Sequence, residues 1–133
     1  MKDNLRFRVW DSITKKLRNV AQITLDSRQH GFPSEIEDMA TCHLIYCPHL
    51  TLEQCTGLRD KNGQLIYEGD IIRHDTAAGP KCWPVVFRNG CFVLPYESGD
   101  AWLGKVIEHC PYDSGVVVVG NIHENPEMLE AKK

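Results

Sequence analysis

Two Asn-Gly dipeptides constrain the fold of this chain more than any other sequence feature. Asn62-Gly63 separates the runs LEQCTGLRD and QLIYEGD, and Asn89-Gly90 separates WPVVF from CFVL. Asn and Gly tolerate the positive φ angles that a type I′ turn needs at both central residues, and this turn matches the twist of paired antiparallel strands. The sequence therefore predicts two β-hairpins, each closed by an Asn-Gly turn.

The N-terminal segments are also short and strand-like. LRFRVWD alternates apolar and polar residues, and LRNVAQITL follows the turn residues SITKK, so we expect the chain to open with a hairpin. Residues 26–41 are polar, contain Gly31 and Pro33, and are predicted to form a surface loop or variable insertion. HLIYC, which follows, is a candidate short strand.

The C-terminal segment GVVVVGNIHENPEML combines a strand with a helix start signal. Four consecutive valines favour a strand that is covered on both faces. Asn125-Pro126-Glu127 is typical of a helix N-cap and the first helical positions. We expect an internal strand, paired with strands from residues 64–97, followed by one docked helical turn. Residues 101–110, AWLGKVIEHC, are compatible with a helical turn or with a strand.

Composition and charge narrow the class of protein. The chain has 133 residues, 42% of them hydrophobic and 25% charged, which is typical of one globular domain. The net charge of −3 argues against binding through nonspecific phosphate contacts, which need a basic face. We interpret the basic cluster near the start as a solvated hairpin face; it comprises Arg6, Arg8, Lys15, Lys16 and Arg18.

No segment approaches the roughly 20 apolar residues of a membrane-spanning helix. MKDNLRFRVW also lacks the apolar stretch of a signal peptide, so the expectation is an intracellular protein without a membrane partner. Most of its six cysteines are then expected to be reduced.

The strongest candidate metal site is the segment CHLIYCPHLTLEQC. Its candidate ligands are Cys42, Cys47, His49 and Cys55, with His43 as a spare. Thiolate and imidazole suit zinc, but the closely spaced cysteine pairs of structural zinc sites are missing. Reduced or incidental cysteines are the favoured interpretation, and we predict no metal and no other cofactor.

Two arrangements could carry catalysis. Glu68 and Asp70 are two residues apart and could share one face of a strand as an acid and a base. We favour a turn and strand entry, because Gly69 permits a sharp turn and Asp accepts hydrogen bonds from turn amides. His109 and Cys110 are adjacent in sequence, and adjacent side chains seldom face each other. No catalytic signature is present, so we predict that the chain is not an enzyme.

Three ordered motifs resemble the YopX family of small phage and prophage proteins. They are QCTGLRDKNGQLIYEGDIIRHD, VVFRNGCFVL and VVVVGNIHENPEML, after an opening FRVWD. The resemblance implies one mainly β YopX-like domain over residues 1–133. Residues 1–50 would hold the hairpin extension and a variable loop, and residues 51–129 an SH3-like barrel or roll with a short C-terminal helical turn. It also implies a bacterial or phage cytoplasmic setting, but no activity, because none is established for the family.

The same resemblance marks the family's hallmark positions in this sequence. We interpret them as structural, without a catalytic or cofactor-binding role. They are Thr56, Gly57, Leu58, Asp60, Asn62, Gly63, Ile66, Tyr67, Glu68, Gly69, Asp70, Ile71, Gly120, Asn121, Ile122, Glu124, Asn125 and Pro126.

These observations predict a non-enzymatic binding or assembly module that acts through protein contacts or as a homo-oligomer. A nucleic-acid-binding small β-barrel is the alternative, disfavoured by the net charge, and a zinc-stabilised regulatory protein is the third hypothesis. Aromatic surface could come from Trp10, Trp83, Tyr96 and Trp102, although single aromatic residues more often lie in the core.

Overall fold

A computed structural model describes residues 6–24, 35–36, 39–43, 49–110 and 115–130. For residues 21–24, 35–36, 39–43 and 130 it describes the backbone alone. The chain forms two compact units, residues 1–54 and 55–133. The predicted boundary at residues 50 and 51 falls within the strand that continues from the first unit into the second. The assignment of one domain over the whole chain stays a prediction.

The first unit is an antiparallel hairpin extended by further strands. Its described sheet has the order β3-β4-β2-β1-β5. The strands are β1 (Phe7–Asp11), β2 (Lys16–Thr24), β3 (Glu35–Ile36), β4 (Met39–His43) and the first half of β5 (Leu50–Arg59). The opening hairpin is confirmed. The loop predicted for residues 26–41 is wrong where β3 and β4 form, because β4 pairs in parallel with β2 and its backbone is bonded there.

Asp11 closes the turn of the opening hairpin. Its Oδ1 accepts hydrogen bonds from the N–H of Ile13 at 2.9 Å and of Thr14 at 3.2 Å. Burial by itself would raise the pKa of Asp11. Together, these hydrogen bonds and the charge of His49 lower it by more than burial raises it, so the pKa of Asp11 lies below its usual value. The buried carboxylate is therefore held in its charged form by the turn that it stabilises.

The second unit is built from short strands around one core. After β5 come β6 (Leu65–Tyr67), β7 (Asp70–Thr76), β8 (Gly79–Pro84), β9 (Val86–Arg88), β10 (Cys91–Tyr96), β11 (Gly99–Trp102), α1 (Leu103–Glu108), β12 (Val117–Asn121) and α2 (Glu127–Glu130). Neither helix of the described chain is long and apolar enough to cross a membrane.

The described strands of this unit form the pair β5-β6 and two sheets, β12-β7-β8 and β11-β10-β9. Apolar side chains from these strands, from their connections and from α1 meet in one buried cluster, which comprises Ile66, Ile72, Trp83, Val85, Leu94, Leu103 and Val116. Several short sheets that share one core make a small barrel or roll. The predicted mainly β class is confirmed, and residues 103–108 resolve the ambiguity at 101–110 in favour of a helix.

The two Asn-Gly turns differ in type. Asn89 and Gly90 both have positive φ, 53° and 81°, between the closing pair Arg88 and Cys91, as a type I′ turn requires. At the first hairpin only Gly63 has positive φ, 83°, so the type I′ prediction is wrong for Asn62-Gly63 although the hairpin itself is confirmed. The Asp60 side chain explains the difference, because it binds this turn from within.

The valine-rich strand is placed differently from our prediction. β12 pairs with β7 as expected, but it is the outermost strand of the described β12-β7-β8 sheet, so an internal position is wrong. The predicted helical turn follows as α2, with Met128 N–H donating to the Asn125 carbonyl at 3.1 Å. Asn125 does not cap this helix with its side chain, since its Oδ1 accepts from Asn121 N–H at 3.3 Å.

Candidate functional site

The first group of family positions holds the β5-β6 hairpin together. Thr56 Oγ1 donates to the Ile66 carbonyl at 2.8 Å and accepts from Leu58 N–H at 3.1 Å. Gly57, with φ 80°, lies where the strand register shifts, as in a β-bulge. Thr56 therefore replaces ladder bonds that the bulge removes.

Asp60 joins this hairpin to β12. Its Oδ1 accepts from the N–H groups of Asn62 and Gln64, both at 2.9 Å, and its Oδ2 accepts from Val118 N–H at 3.1 Å. The neighbouring Lys61 N–H donates to the Val116 carbonyl at 3.0 Å. A buried carboxylate thus satisfies backbone donors from two separate segments.

Gly69-Asp70 is a second junction of backbone segments. Gly69 N–H donates to the Val85 carbonyl, its own carbonyl accepts from Ile122 N–H, and Val85 N–H donates to the Asp70 carbonyl, each at 2.8 Å. Asp70 is 3% exposed, and its Oδ2 accepts from Tyr67 N–H at 2.8 Å. These contacts assign Asp70 to the turn and supply no free carboxylate for an acid–base pair with Glu68.

The third group closes the C-terminal turn. Asn121 Oδ1 accepts from the N–H groups of His123 at 3.0 Å and Glu124 at 2.9 Å. A Cβ on Gly120 would lie 2.5 Å from Asn125 Oδ1, so only glycine fits against this side chain. The polar hallmark positions named here are occupied by bonds that maintain the fold.

The candidate zinc ligands are only partly described. Cys47 lies outside the described residues, and the side chain of Cys42 is not described. Cys55 is fully buried, with its Sγ 3.7 Å from the Ile66 carbonyl and accepting from Gly57 N–H at 3.5 Å. Among described side chains, no three His, Cys, Asp or Glu residues form a cluster that could hold a metal ion.

A groove in the second unit has the character of a binding site. It encloses about 580 Å³, and its walls are β11, α1 and the ends of β7 and β10. We call it the β11 groove and define it by the residues that line it, which are His74, Tyr96, Asp100, Ala101, Trp102, Lys105, Val106, His109 and Cys110. Trp102 is 62% exposed. A large exposed indole beside apolar walls is a feature of surfaces that bind a partner.

His74 and Tyr96 provide the polar part of this groove. Buried His74 donates from Nδ1 to the Asp75 carbonyl at 3.0 Å, because a carbonyl can only accept, and its Nε2 is hydrogen-bonded to the Tyr96 hydroxyl at 2.7 Å. Burial raises the pKa of Tyr96, and neighbouring Cys110 raises it further. The phenol therefore stays protonated at neutral pH. Trp83 stacks on His74 with ring centroids 4.5 Å apart, which fixes the imidazole in place.

The charged groups around the groove are paired with one another. Arg88 donates to Asp100 Oδ1 at 2.8 Å, while Glu108 lies 3.6 Å from both Lys105 Nζ and His109 Nε2. Such exposed pairs are weak and neutralise most of the local field. Recognition in this groove would therefore rest on apolar and backbone contacts.

A second groove of about 840 Å³ shares His74 and Tyr96 with the first. Its large aromatic residue, Trp83, is only 8% exposed, so it offers little indole surface. The β11 groove is the better candidate because its tryptophan is accessible.

Sequence reasoning found the aromatic residues but could not sort them. Trp10 and Trp83 are buried, each 8% exposed, whereas Trp102 is exposed. The exposure of Trp102 follows from its position directly before the first residue of α1, where strand alternation ends, and the sequence left this boundary open. His74 was missed although it lies in the first family motif, because a single histidine in a strand carries no signal of a binding or catalytic role.

These features define a small, mainly β protein of the barrel or roll type, in which the turn motifs are used for internal hydrogen bonds and an apolar groove lies at β11. The sequence profile of the YopX protein family matches residues 6–130, so the chain belongs to the YopX family. No curated protein sequence matches the chain.

Two crystal structures are similar to this chain. Protein EF1440 from Enterococcus faecalis is 25% identical, with a TM-score of 0.66 over 93% of this chain and 96% of its own. Protein yopX from Bacillus subtilis is 17% identical, with a TM-score of 0.62 over 95% of this chain and 98% of its own. At 17% identity, the similarity to protein yopX shows a shared fold alone.

Proposed function

We propose that this protein is a non-enzymatic binding module of phage or prophage origin that holds a protein partner in the β11 groove within the bacterial cytoplasm. The observation that carries the proposal is Trp102, 62% exposed on the wall of a largely apolar groove. Burying an exposed aromatic side chain is among the largest single contributions to a protein interface.

The use of the acidic residues supports a role other than catalysis. Asp60 and Asp70 are buried and bound to backbone N–H groups. Asp100 is paired with Arg88 at the groove. A general acid or base needs a carboxyl group directed at a substrate. In this proposal the groove binds and does not react.

Affinity capture from phage-infected or prophage-induced cells tests the proposal. Three baits are compared: the unchanged protein, Trp102→Ser, and Phe87→Ser as the control. Phe87 is also exposed, 53%, but it lies in β9, at the other edge of the same sheet. We expect a protein retained by the unchanged and Phe87→Ser baits to be lost with Trp102→Ser. Equal retention by all three baits would place the partner elsewhere.

The same material tests the nucleic-acid alternative. Labelled single- and double-stranded DNA should show no binding that weakens steeply with salt, since such weakening measures phosphate contacts. Self-association is tested by light scattering at roughly tens of micromolar, where modest interfaces assemble. A strict monomer there would count against the homo-oligomer that the sequence predicts. It would leave the binding of a different protein as the proposed function.

A further inference from the structure

The register of β11 determines which of its backbone groups face outward. β11 pairs antiparallel with β10, and Asp100 lies opposite Pro95. The type I′ turn at Asn89-Gly90 makes Arg88 and Cys91 a hydrogen-bonded pair. By alternation, Pro95 therefore directs its backbone to the β9 side of β10 and is not bonded to Asp100, which suits a residue without an N–H. Bonded and non-bonded pairs alternate in an antiparallel ladder. Ala101 therefore bonds to β10, whereas Asp100 and Trp102 direct their N–H groups away from it.

β11 has a free outer edge in the described structure. Among the described strands it pairs with β10 alone. In the described part of the chain, the N–H groups of Asp100 and Trp102 have no hydrogen-bond acceptor. The Asp100 carbonyl also faces outward, whereas Trp102 precedes α1 as its N-cap. Three neighbouring backbone groups are thus available to form hydrogen bonds with another strand: the N–H groups of Asp100 and Trp102 and the carbonyl of Asp100.

The other outer strands of these two sheets are blocked or short. In β8, Pro80 and Pro84 occupy outward-facing positions, so only Cys82 could donate there. β9 has three residues, and by the same alternation only Phe87 directs its backbone N–H and carbonyl away from β10. The outer edge of β12 is covered by Asp60 and Lys61. Among these described edges, β11 is the one that presents successive outward groups.

The open edge and the β11 groove coincide. Asp100, Ala101 and Trp102 line the groove in sequence, and Val106 lines it from α1. A strand bonded along β11 would project alternate side chains toward each face of the sheet. Those on the side of Tyr96 would enter the apolar groove. Backbone bonds then supply affinity, and the groove selects the side chain.

We propose that β11 accepts an extended segment of a different protein as an additional strand, with an apolar side chain of that segment in the β11 groove. The inference rests on the proposed function and adds its mode of recognition. A second copy of this chain is the poorer occupant, because a symmetric pair of β11 strands centred on Asp100 would set two carboxylates opposite each other.

Two substitutions at Asp100 separate backbone recognition from side-chain recognition. Both Asp100→Pro and Asp100→Ala remove the exposed ion pair with Arg88, but only the proline removes the outward N–H. Proline is tolerated here because this N–H makes no bond to β10. The probe is a set of peptides of about twelve residues, selected against the full chain from a displayed random library and synthesised with a fluorescent label.

We expect Asp100→Ala to bind the selected peptides within about threefold of the unchanged protein. Asp100→Pro should weaken binding at least about tenfold, because it removes a backbone bond and crowds the incoming strand. Circular dichroism and thermal melting check that both variants are folded. If Asp100→Pro does not fold, peptides N-methylated at alternate residues replace it, and one of the two methylation patterns should abolish binding.

The outcomes separate the two proposals. Equal binding by the two Asp100 variants, with loss in Trp102→Ser, would overturn strand addition and leave the groove as the binding site. Equal binding by all three variants would overturn both. A library that yields no binding peptide would overturn the inference, as would a dimer of the unchanged protein that Asp100→Pro converts to a monomer.

Discussion

β12 and β11 are both outermost strands of described sheets in the second unit, and their outer edges differ in one respect. At β12, the Asp60 carboxylate accepts the outward N–H of Val118, and Lys61 N–H donates to the Val116 carbonyl. At β11 the outward N–H groups have no acceptor in the described chain. An unpaired strand edge is a liability that proteins usually block. An edge left open beside an apolar groove is therefore suited to a partner.

The comparison separates two kinds of residue. The polar family positions around β12 are occupied by internal hydrogen bonds, so their place in the structure is accounted for by the fold. Apart from His74, which lies near the end of the first motif, the residues of the β11 groove lie outside the motifs that carry the family resemblance. In the proposed function, the family motifs maintain the fold and the β11 groove binds the partner.

The largest expected effect comes from removing the closed edge itself. Ending the chain after Gly115 deletes β12 together with the buried Val116 that directly precedes it. Each buried valine contributes roughly 1.5–3 kcal/mol, against a total stability of about 5–15 kcal/mol. We expect the truncated protein to lose its cooperative thermal transition in circular dichroism. Removing only residues 130–133 should be close to neutral. A truncation after Gly115 that melts like the full chain would contradict the role of β12.

Asp60→Ala should have the next largest effect. It leaves the N–H groups of Asn62, Gln64 and Val118 without their acceptor. We expect a loss of about 2–4 kcal/mol in the free energy of unfolding, measured by urea denaturation. Asp60→Asn should lose about half as much, because its amide oxygen can still serve the turn while its NH₂ faces Val118 N–H. A loss below about 0.5 kcal/mol for Asp60→Ala would contradict the claim that the Asp60 carboxylate stabilises the outer edge of β12.

Gly120→Ala tests the packing at the end of β12. Its Cβ would lie 2.5 Å from Asn125 Oδ1, so the C-terminal turn must shift, at a cost of about 1–3 kcal/mol. Gly104→Ala is the matched control, because a Cβ there meets open space in a helix and should stabilise by about 0.5–1 kcal/mol. Thermal melting of both variants decides the point. Equal shifts of the two melting temperatures would refute the steric explanation.

The smallest effect, and the one that depends on pH, concerns Asp11 in the first unit. Because the pKa of Asp11 is lowered in the folded protein, its stabilisation is present above the unfolded pKa of about 3.9 and is lost as pH falls through the folded value. Asp11→Ala should cost about 1 kcal/mol at neutral pH and progressively less below about pH 4. Urea denaturation from neutral to acidic pH measures this, with Ser12→Ala as a control that keeps the carboxylate. A cost that does not change with pH would contradict the assignment.

The sequence could predict the hairpins because turn chemistry is local. Asn89-Gly90 needs no information from the rest of the chain to form its turn. Asn62-Gly63 adopts a different turn because Asp60, two residues earlier, offers its carboxylate to the same N–H groups. The position of β12 was mispredicted for a related reason: four valines favour a covered strand, but a side chain and a turn provide part of the cover in place of a neighbouring strand.

The groove could not be predicted in the same way. Its residues come from β7, β10, β11, α1 and the two residues after it, and among them only His74 belongs to one of the sequence motifs. The exposure of Trp102 depends on where β11 ends and α1 begins, which sequence left ambiguous. One local clue did exist: Pro95 has no N–H and so favours a non-bonded position opposite β11, but this becomes informative only once the register of the hairpin is known.

Residue-resolved amide hydrogen exchange of the full chain compares the two edges most directly. The account predicts that the N–H groups of Val118, Gln64 and Ile122 exchange slowly, with opening free energies of at least about 3 kcal/mol. The N–H groups of Asp100 and Trp102 should exchange nearly as fast as in an unfolded chain. Slow exchange at Asp100 and Trp102 in the unbound protein, or fast exchange at Val118, would contradict the claim that one edge is closed by the fold and the other is open for a partner.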